Sequence, residues 1–171
     1  MAGNALYAWN GTGNGGALHL EDGAIAGDAG YHPAWVDNTR AFLGTPQAGS
    51  GRGSTRPDIN VVVWAWCGQV SSLTAQGLVD TYLAPMAQLE ADYPGVRFVY
   101  MTGHLDGTGG AGNLHQRNEQ IRAYCRANGK ALFDFADIES FAPGGGTNFM
   151  LLLADDACAY DSDGNGTRDR N

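Results

Sequence analysis

The sequence predicts an α/β protein with a layered, parallel sheet. Three apolar runs have strand composition, at residues 59–67, 96–102 and 130–138. The two stretches between them repeat apolar residues at spacings of three and four, which is typical of helices. An alternating order of strand and helix favours parallel pairing through right-handed crossovers. We therefore expect these three runs to be adjacent parallel strands.

The first 58 residues have elements but little periodicity. Two runs rich in glycine and polar residues, 10–16 and 46–58, have the composition of turns and linkers. Residues 17–23 predict a short strand with Leu18 and Leu20 on one face. Residues 33–44 predict a short helix, because Pro33 stands near its start and Gly44 directly past its end. We expect Trp35, Thr39 and Phe42 to lie on one side of that helix.

The remaining elements follow in a regular order. The run 59–67 is continuously apolar, which indicates a strand buried on both faces. A helix is predicted near 73–92, capped by Ser72 or Thr74 and kinked at Pro85. A second helix is predicted near 113–127, ending at Asn128-Gly129. We expect one domain over residues 1–154 and an acidic tail over residues 155–171.

Composition excludes several classes of protein. The chain has 171 residues, a net charge of −8 and only 10 scattered basic residues, which argues against a nucleic-acid partner. No apolar stretch approaches the roughly 20 residues of a membrane span. The N-terminus lacks the basic and apolar regions of a signal peptide. Because charge is low and glycine abundant, we expect an extracellular protein, and the oligomeric state stays open.

The topology directs several polar side chains to one edge of the sheet. In open α/β sheets, ligands bind outside the carboxyl ends of the strands. Each side chain also has a plainer interpretation as a turn, cap or backbone partner. Asn118, for example, either satisfies a buried backbone group or contacts a ligand, and Cys67 is more simply explained as a buried, inert thiol. The candidates at this edge are Cys67, Gln69, Ser71, His104, Asp106, Asp134, Asp137 and Glu139.

The three cysteines do not form a zinc motif. Cys67, Cys125 and Cys158 are widely spaced, and an odd number leaves at least one thiol unpaired within the chain. If any two pair, we expect Cys125 with Cys158, which would leave Cys67 free.

Residues 59–141 resemble a group of bacterial secreted proteins related to the SGNH (GDSL-like) hydrolases. The resemblance lies in Trp66-Cys67 at the end of a strand, the Tyr-Met-Thr-Gly block at 100–103, Arg117-Asn118 in a helix, and Phe-Asp-Phe-Ala-Asp at 133–137. It implies a flavodoxin-like three-layer fold and hydrolysis of carbohydrate-type esters. The Gly-Asp-Ser-like nucleophile block and the first strand of such enzymes are not recognisable here. No histidine follows His115, so the late Asp-x-x-His block is missing as well, and Gln69 stands at best where these enzymes have an oxyanion-binding Asn. We expect either a fragment or a relative that has lost or relocated its chemistry.

On the enzyme hypothesis, the resemblance and the topology together assign roles at this edge. His104 would act as general base or acid, with Asp106 or Asp137 as its orienting carboxylate. Gln69 and the Gly68 amide would steady an oxyanion. The nucleophile would be Cys67, Ser71, Ser72 or a water. Substrate would contact Gly68, Gly103, Asn118 and Glu139.

The C-terminal sequence DSDGNGTRD resembles the start of a calcium loop. Oxygen-bearing side chains stand at its first, third, fifth and ninth positions, with glycine at the sixth. The expected ligands for Ca²⁺ are Asp161, Asp163, Asn165 and Asp169. The alternative is an acidic tail without an ion.

Two functions that need no catalysis compete with the hydrolase hypothesis. One is a secreted carbohydrate-binding module, in which Trp64, Trp66 or Tyr100 would offer apolar faces to a sugar if these side chains are exposed. The other is a calcium-stabilised structural module of a secreted assembly.

Overall fold

The computed structural model describes residues 19–170 and is an α/β structure, as the sequence predicts. Residues 19–23 form no strand and Leu20 is exposed, so the described part of the strand predicted at 17–23 is wrong; Ala17 and Leu18 lie outside the described residues. The helices and strands are α1 (Ala34–Leu43), β1 (Val61–Val63), α2 (Ala75–Leu78), α3 (Ala84–Asp92), β2 (Arg97–Met101), α4 (Asn113–Asn128), β3 (Ala131–Phe133) and α5 (Phe135–Ser140).

The sheet has three parallel strands in the order β1-β2-β3. Val63 is level with Val99, and Val99 is level with Ala131 on its other side. The predicted adjacency and direction of the three strands are therefore confirmed. The sheet brings the segments that follow β1, β2 and β3 to one edge.

All the long helices cover the same face of this sheet. Strands in sequential order that are joined by right-handed crossovers place their connecting helices on one side. Ring contacts agree with that rule, because Tyr100 of β2 lies 5.9 Å from Tyr82, in the turns between α2 and α3, and 5.6 Å from Tyr124 of α4. Helix α1 joins the same layer through Trp35, whose ring centroid is 5.8 Å from that of Trp64. The core therefore lies between one sheet face and one helical layer.

The opposite face of the sheet is open in the described part of the chain. Val61 is 50% exposed, Val63 is 52% exposed and Phe133 is 43% exposed, whereas Val62 is buried. Within the described residues the first strand is therefore buried on one face, and not on both faces as the sequence predicted. An uninterrupted apolar run does not distinguish a strand buried twice from one that is covered on a single side.

Strand β1 is also shorter than predicted. Regular pairing ends at Val63, although inward and outward side chains continue to alternate as far as Cys67. Beyond Val63 the Met101 amide of β2 donates to the Tyr82 hydroxyl at 2.9 Å, and the carbonyl of Ala65 accepts a hydrogen bond from the Ala29 amide at 3.0 Å. The loop before α1 therefore takes the place of a further strand at this point.

The predicted helix near 73–92 forms, with one irregular segment. The Thr74 hydroxyl accepts from the Gly77 amide at 2.9 Å, which settles the predicted choice of cap between Ser72 and Thr74. Residues 79–83 form a wider π-helical turn directly before α3. Pro85 has no amide hydrogen to donate to the preceding turn. The π-helical turn lies directly before it, where the sequence predicts a kink.

The third strand ends earlier than predicted, because Asp134 begins a helix. Its carboxylate accepts from the Asp137 amide at the first turn of α5. Phe135 to Ile138, predicted as strand, are therefore helical. Asp134 therefore acts as the N-cap of α5. Capping is one of the non-catalytic roles that the sequence allows for this residue.

The segment after α5 returns to the sheet edge. A short 3₁₀ turn, Phe149–Leu152, packs with Tyr160 on a small second cluster formed by Leu105, Ala136 and Ala154. The Gly107 amide donates to the carbonyl of Ala154 at 3.0 Å. The C-terminal residues thus lie against the loop that follows β2.

The three thiols are all free. Cys125 is buried on the inward side of α4, while Cys67 and Cys158 are exposed. The expected pairing of Cys125 with Cys158 does not form, and the expected burial of Cys67 is wrong. No helix within residues 19–170 combines the length and apolar character needed to cross a bilayer.

Candidate functional site

Asn118 fixes the backbone at the carboxyl end of β2. Its side-chain oxygen accepts from the Gly103 amide at 2.8 Å, and its amide nitrogen donates to the Gly103 carbonyl at 3.0 Å. Asn118 is only 1% exposed. Its interpretation as the partner of a buried backbone group is confirmed, and this pair of hydrogen bonds sets where the chain turns toward His104.

The segment after β1 packs against that same turn. Residues 68–72 form a 3₁₀ helix whose Val70 lies against Gly103, where a methyl group would overlap the valine. The Ser71 hydroxyl donates to the Gly68 carbonyl at 2.6 Å, and the Ser72 hydroxyl donates to the Gln69 carbonyl at 2.9 Å. Both hydroxyls therefore close their own turn, and neither is hydrogen-bonded to His104.

Gln69 faces the loop before α1. Its amide nitrogen lies 3.4 Å from a carboxylate oxygen of Asp28, and its side-chain oxygen is buried without a hydrogen-bond partner in the described chain. The side chain covers Gly30 so closely that no Cβ would fit there. The Gln69 amide is therefore directed to Asp28, whereas Gly68 and Cys67 are exposed at the edge.

His104 lies in the turn after β2 with its Nδ1 atom 3.0 Å from the Leu105 carbonyl oxygen. A carbonyl oxygen can only accept, so this contact places the proton of the neutral ring on Nδ1 and leaves the lone pair on Nε2. An imidazole in that tautomer can take a proton from another molecule at Nε2. The ring is largely but not completely enclosed, with 18% of the side chain exposed.

Asp156 is the carboxylate within ion-pair distance of His104, at 3.8 Å from Nδ1. The two carboxylates that the sequence offered for this role have other positions. Asp106 accepts from the amide and the hydroxyl of Thr108, at 3.0 and 2.6 Å, and Asp137 is exposed on α5. Neither Asp106 nor Asp137 is therefore within ion-pair distance of His104 in the described chain, and Asp156 is.

Sequence reasoning missed Asp156 because it belongs to the tail. Its only signal was the acidic pair Asp155-Asp156, which has no periodicity and no motif spacing. The long return of the chain from α5 to the loop after β2 brings it to the site. Such a contact between distant segments leaves no local pattern in a single sequence.

Glu139 borders His104 from the α5 side. Its carboxylate accepts from the Leu105 amide at 2.6 Å. Burial raises the pKa of Glu139 above its ordinary value, against the opposing effects of the Leu105 amide and of His104. Glu139 therefore helps to hold the turn that carries His104. Its carboxyl group keeps its proton to a higher pH than an ordinary glutamate does.

Asp134 belongs to a structural ion pair beside this edge. Arg122 of α4 donates to both of its carboxylate oxygens, each at 2.7 Å, and the Thr102 hydroxyl donates at 3.1 Å. Burial alone would raise the pKa of Asp134, but the paired guanidinium outweighs it and holds that pKa below its ordinary value. This bidentate pair ties α4 to the end of β3 and leaves Asp134 no proton to exchange near neutral pH.

The aromatic side chains proposed as a sugar platform are buried. Trp64 donates its ring N–H to the Thr39 hydroxyl at 2.9 Å, and Trp66 donates to the Met101 carbonyl at 3.0 Å. Tyr100 is fully enclosed and bonds Glu90. The condition for a sugar platform, that these rings are exposed, is therefore not met for any of the three.

The loop 161–169 is folded around one carboxylate. Asp161 is buried and accepts from the amides of Gly164, Asn165 and Gly166 at 2.8 to 3.2 Å. These amides, the Gly166 amide foremost, lower the pKa of Asp161, so it is ionised near neutral pH. Asp163 and Asp169 bond Asn165 and Ser162, respectively, within the loop.

The donor chemistry of this loop fits Ca²⁺, but the side chains do not converge on one point. Each of the four predicted ligands offers a side-chain oxygen atom, the donor that a hard cation requires. Over residues 19–170, no three Asp, Glu, His or Cys side chains are grouped closely enough to hold a metal ion. Binding would therefore require Asp163, Asn165 and Asp169 to turn toward Asp161.

Comparison of the chain with protein-family models, with curated protein sequences and with solved structures gives no match.

Proposed function

We propose that this chain is an SGNH-like hydrolase domain that cleaves carbohydrate-type esters, with His104 as its general base. One observation carries the proposal: the Nδ1 contact with the Leu105 carbonyl leaves the Nε2 lone pair of His104 available to accept a proton. The sequence resemblance over residues 59–141 supplies the reaction class. A secreted location and the finer flavodoxin-like architecture belong to the same proposal.

The proposed reaction uses water as nucleophile, because no hydroxyl or thiol of this edge is hydrogen-bonded to His104. Nε2 takes a proton from the water as its oxygen attacks the ester carbonyl carbon. The tetrahedral intermediate then collapses, the carbon–oxygen bond to the alcohol breaks, and the imidazolium returns the proton to the departing alkoxide. Asp156, 3.8 Å from the ring, would stabilise the imidazolium between these steps.

The open sheet face supports the flavodoxin-like part of the proposal. Parallel sheets of α/β proteins occur almost only with both faces covered. The outward side chains Val61, Val63 and Phe133 are apolar, as expected under a second helical layer. In that arrangement the layer would come from chain other than the two crossovers.

The hydrolase proposal is tested with p-nitrophenyl acetate and an acetylated oligosaccharide. His104→Gln should lower kcat/KM by 10²-fold or more, the usual contribution of a general base. His115→Gln is the matched control, because this histidine lies on the first turn of α4 and makes no ion pair in the described chain. Equal rates for wild type and His104→Gln, or no hydrolysis by the wild type, would contradict the proposal.

We further propose that the loop 161–169 binds Ca²⁺ and stabilises the C-terminal segment. The support is the ionised, amide-bonded Asp161 at its centre together with the spacing of oxygen-bearing side chains. A ligand that binds only the folded state stabilises it by mass action, so Tm should rise by several degrees in 10 mM CaCl₂ relative to chelator. Asp163→Ala should abolish the rise, while Ser162→Ala should keep it. An unchanged wild-type Tm would refute the calcium site.

A further inference from the structure

Asp156 is held near His104 although its own side chain is 62% exposed. An exposed side chain keeps such a position only where its backbone is fixed by other groups. The next residues form a tight turn, in which the Cys158 amide donates to the Asp155 carbonyl at 3.0 Å and the Asp155 amide donates to the Ala159 carbonyl at 3.1 Å. The geometry of this turn decides where the Asp156 carboxylate lies.

Asp155 organises that turn from within. One carboxylate oxygen accepts from the amides of Ala157 and Ala159, both at 3.1 Å. The residue also faces Asp106 across an antiparallel backbone bridge, so the turn is anchored to the loop after β2. Asp155 is thus largely enclosed and touches both the turn and the edge of the sheet.

Arg168 contacts the other carboxylate oxygen of Asp155, at 3.1 Å. It reaches this position from the loop 161–169, whose two ends are joined by the Tyr160 amide and the Arg170 carbonyl at 2.8 Å. Its guanidinium also covers Gly107, where a Cβ would overlap it. The loop and the turn that presents Asp156 are therefore directly connected by one ion pair.

We propose that Asp155 and Arg168 form a latch that positions Asp156 against His104. Asp155 and Arg168 are positioning residues. Through their ion pair, a change in the conformation of the loop 161–169 changes the position of the Asp156 carboxylate beside the imidazole. The consequence for catalysis rests on the proposed hydrolase function, whereas the effect on the His104 ring does not. Opening the latch releases the turn and withdraws the carboxylate from Nδ1.

The latch is tested by NMR of the imidazole nitrogens in ¹⁵N-labelled protein. Asp156→Asn defines the Nδ1 and Nε2 shifts of His104 without its carboxylate. Arg168→Gln should move both shifts more than halfway toward those values, because it releases the same carboxylate from a distance. Arg170→Gln, a matched loss of charge in the same segment, should leave them at the wild-type values.

The outcomes separate the latch from the hydrolase. Wild-type shifts in Arg168→Gln, or in Asp156→Asn, would overturn the latch whether or not the protein hydrolyses esters. Where hydrolysis is observed, Arg168→Gln should lower kcat at least threefold with KM unchanged. Absence of hydrolysis by the wild type would remove the proposed function and leave the NMR result to decide the latch.

Discussion

Replacing Asn118 with alanine should destabilise the protein far more than an ordinary polar substitution. The change removes two hydrogen bonds and leaves the buried N–H and C=O of Gly103 without a partner. An unsatisfied buried polar group costs about 1–3 kcal/mol. The two groups together predict a loss of about 3 kcal/mol, which lowers Tm by about 6–12 °C for a domain of this size.

Urea denaturation monitored by tryptophan fluorescence measures this loss, because Trp35, Trp64 and Trp66 are all buried. The matched control is Asn128→Ala at the exposed end of the same helix, where one side-chain bond to the Tyr124 carbonyl is lost. The control should cost about 0.5 kcal/mol or less. Equal losses for the two variants would refute the reasoning, since the backbone of Gly103 would then find other partners.

Three further predictions concern the thiols and the turn beside Asn118. In the native protein Cys67 and Cys158 should react readily with Ellman's reagent, whereas Cys125 should react only on unfolding; native labelling of three thiols would contradict its burial. Burial raises the pKa of the Cys125 thiol to about 11. The buried, neutral thiol therefore contributes fully to stability below the thiol pKa of the unfolded chain, and this contribution is lost as pH rises to about 11. Urea midpoints measured across that pH range would detect the loss. Gly103→Ala should cost about 1–3 kcal/mol because the methyl group overlaps Val70, whereas Gly68→Ala meets no neighbouring atom; equal urea midpoints for the two variants would contradict this packing.

The order of strands and helices was predictable because it depends on local patterns. Apolar residues at helical spacing fixed α4, and Gly129 ended it in the left-handed conformation that glycine adopts freely. The lengths of the strands were less predictable. Pairing of β1 with β2 ends where the Met101 amide donates to the Tyr82 hydroxyl, a contact with the helical layer that has no local signal in the sequence.

The candidate site was predictable as a place but not as a set of contacts. The topology placed His104 and Glu139 at one edge, and they do lie together there. The partner of each carboxylate was not predictable, because Asp106 bonds its own turn and Asp134 bonds Arg122. An Asp side chain is short and bonds the amide or guanidinium group that lies nearest to it. Which group lies nearest depends on the folded chain and not on the local sequence.

The half-covered sheet divides the residues of β1 between two kinds of constraint. Val62, and Trp64 just past the end of the strand, point into the core, so any change of volume there disturbs close packing. Within residues 19–170, Val61 and Val63 point away from that core, where a threonine of similar shape keeps the backbone preference of a strand. Alternate positions of one short strand thus differ in mutational tolerance. A polar replacement at an outward position leaves the core between the sheet and its helical layer unchanged.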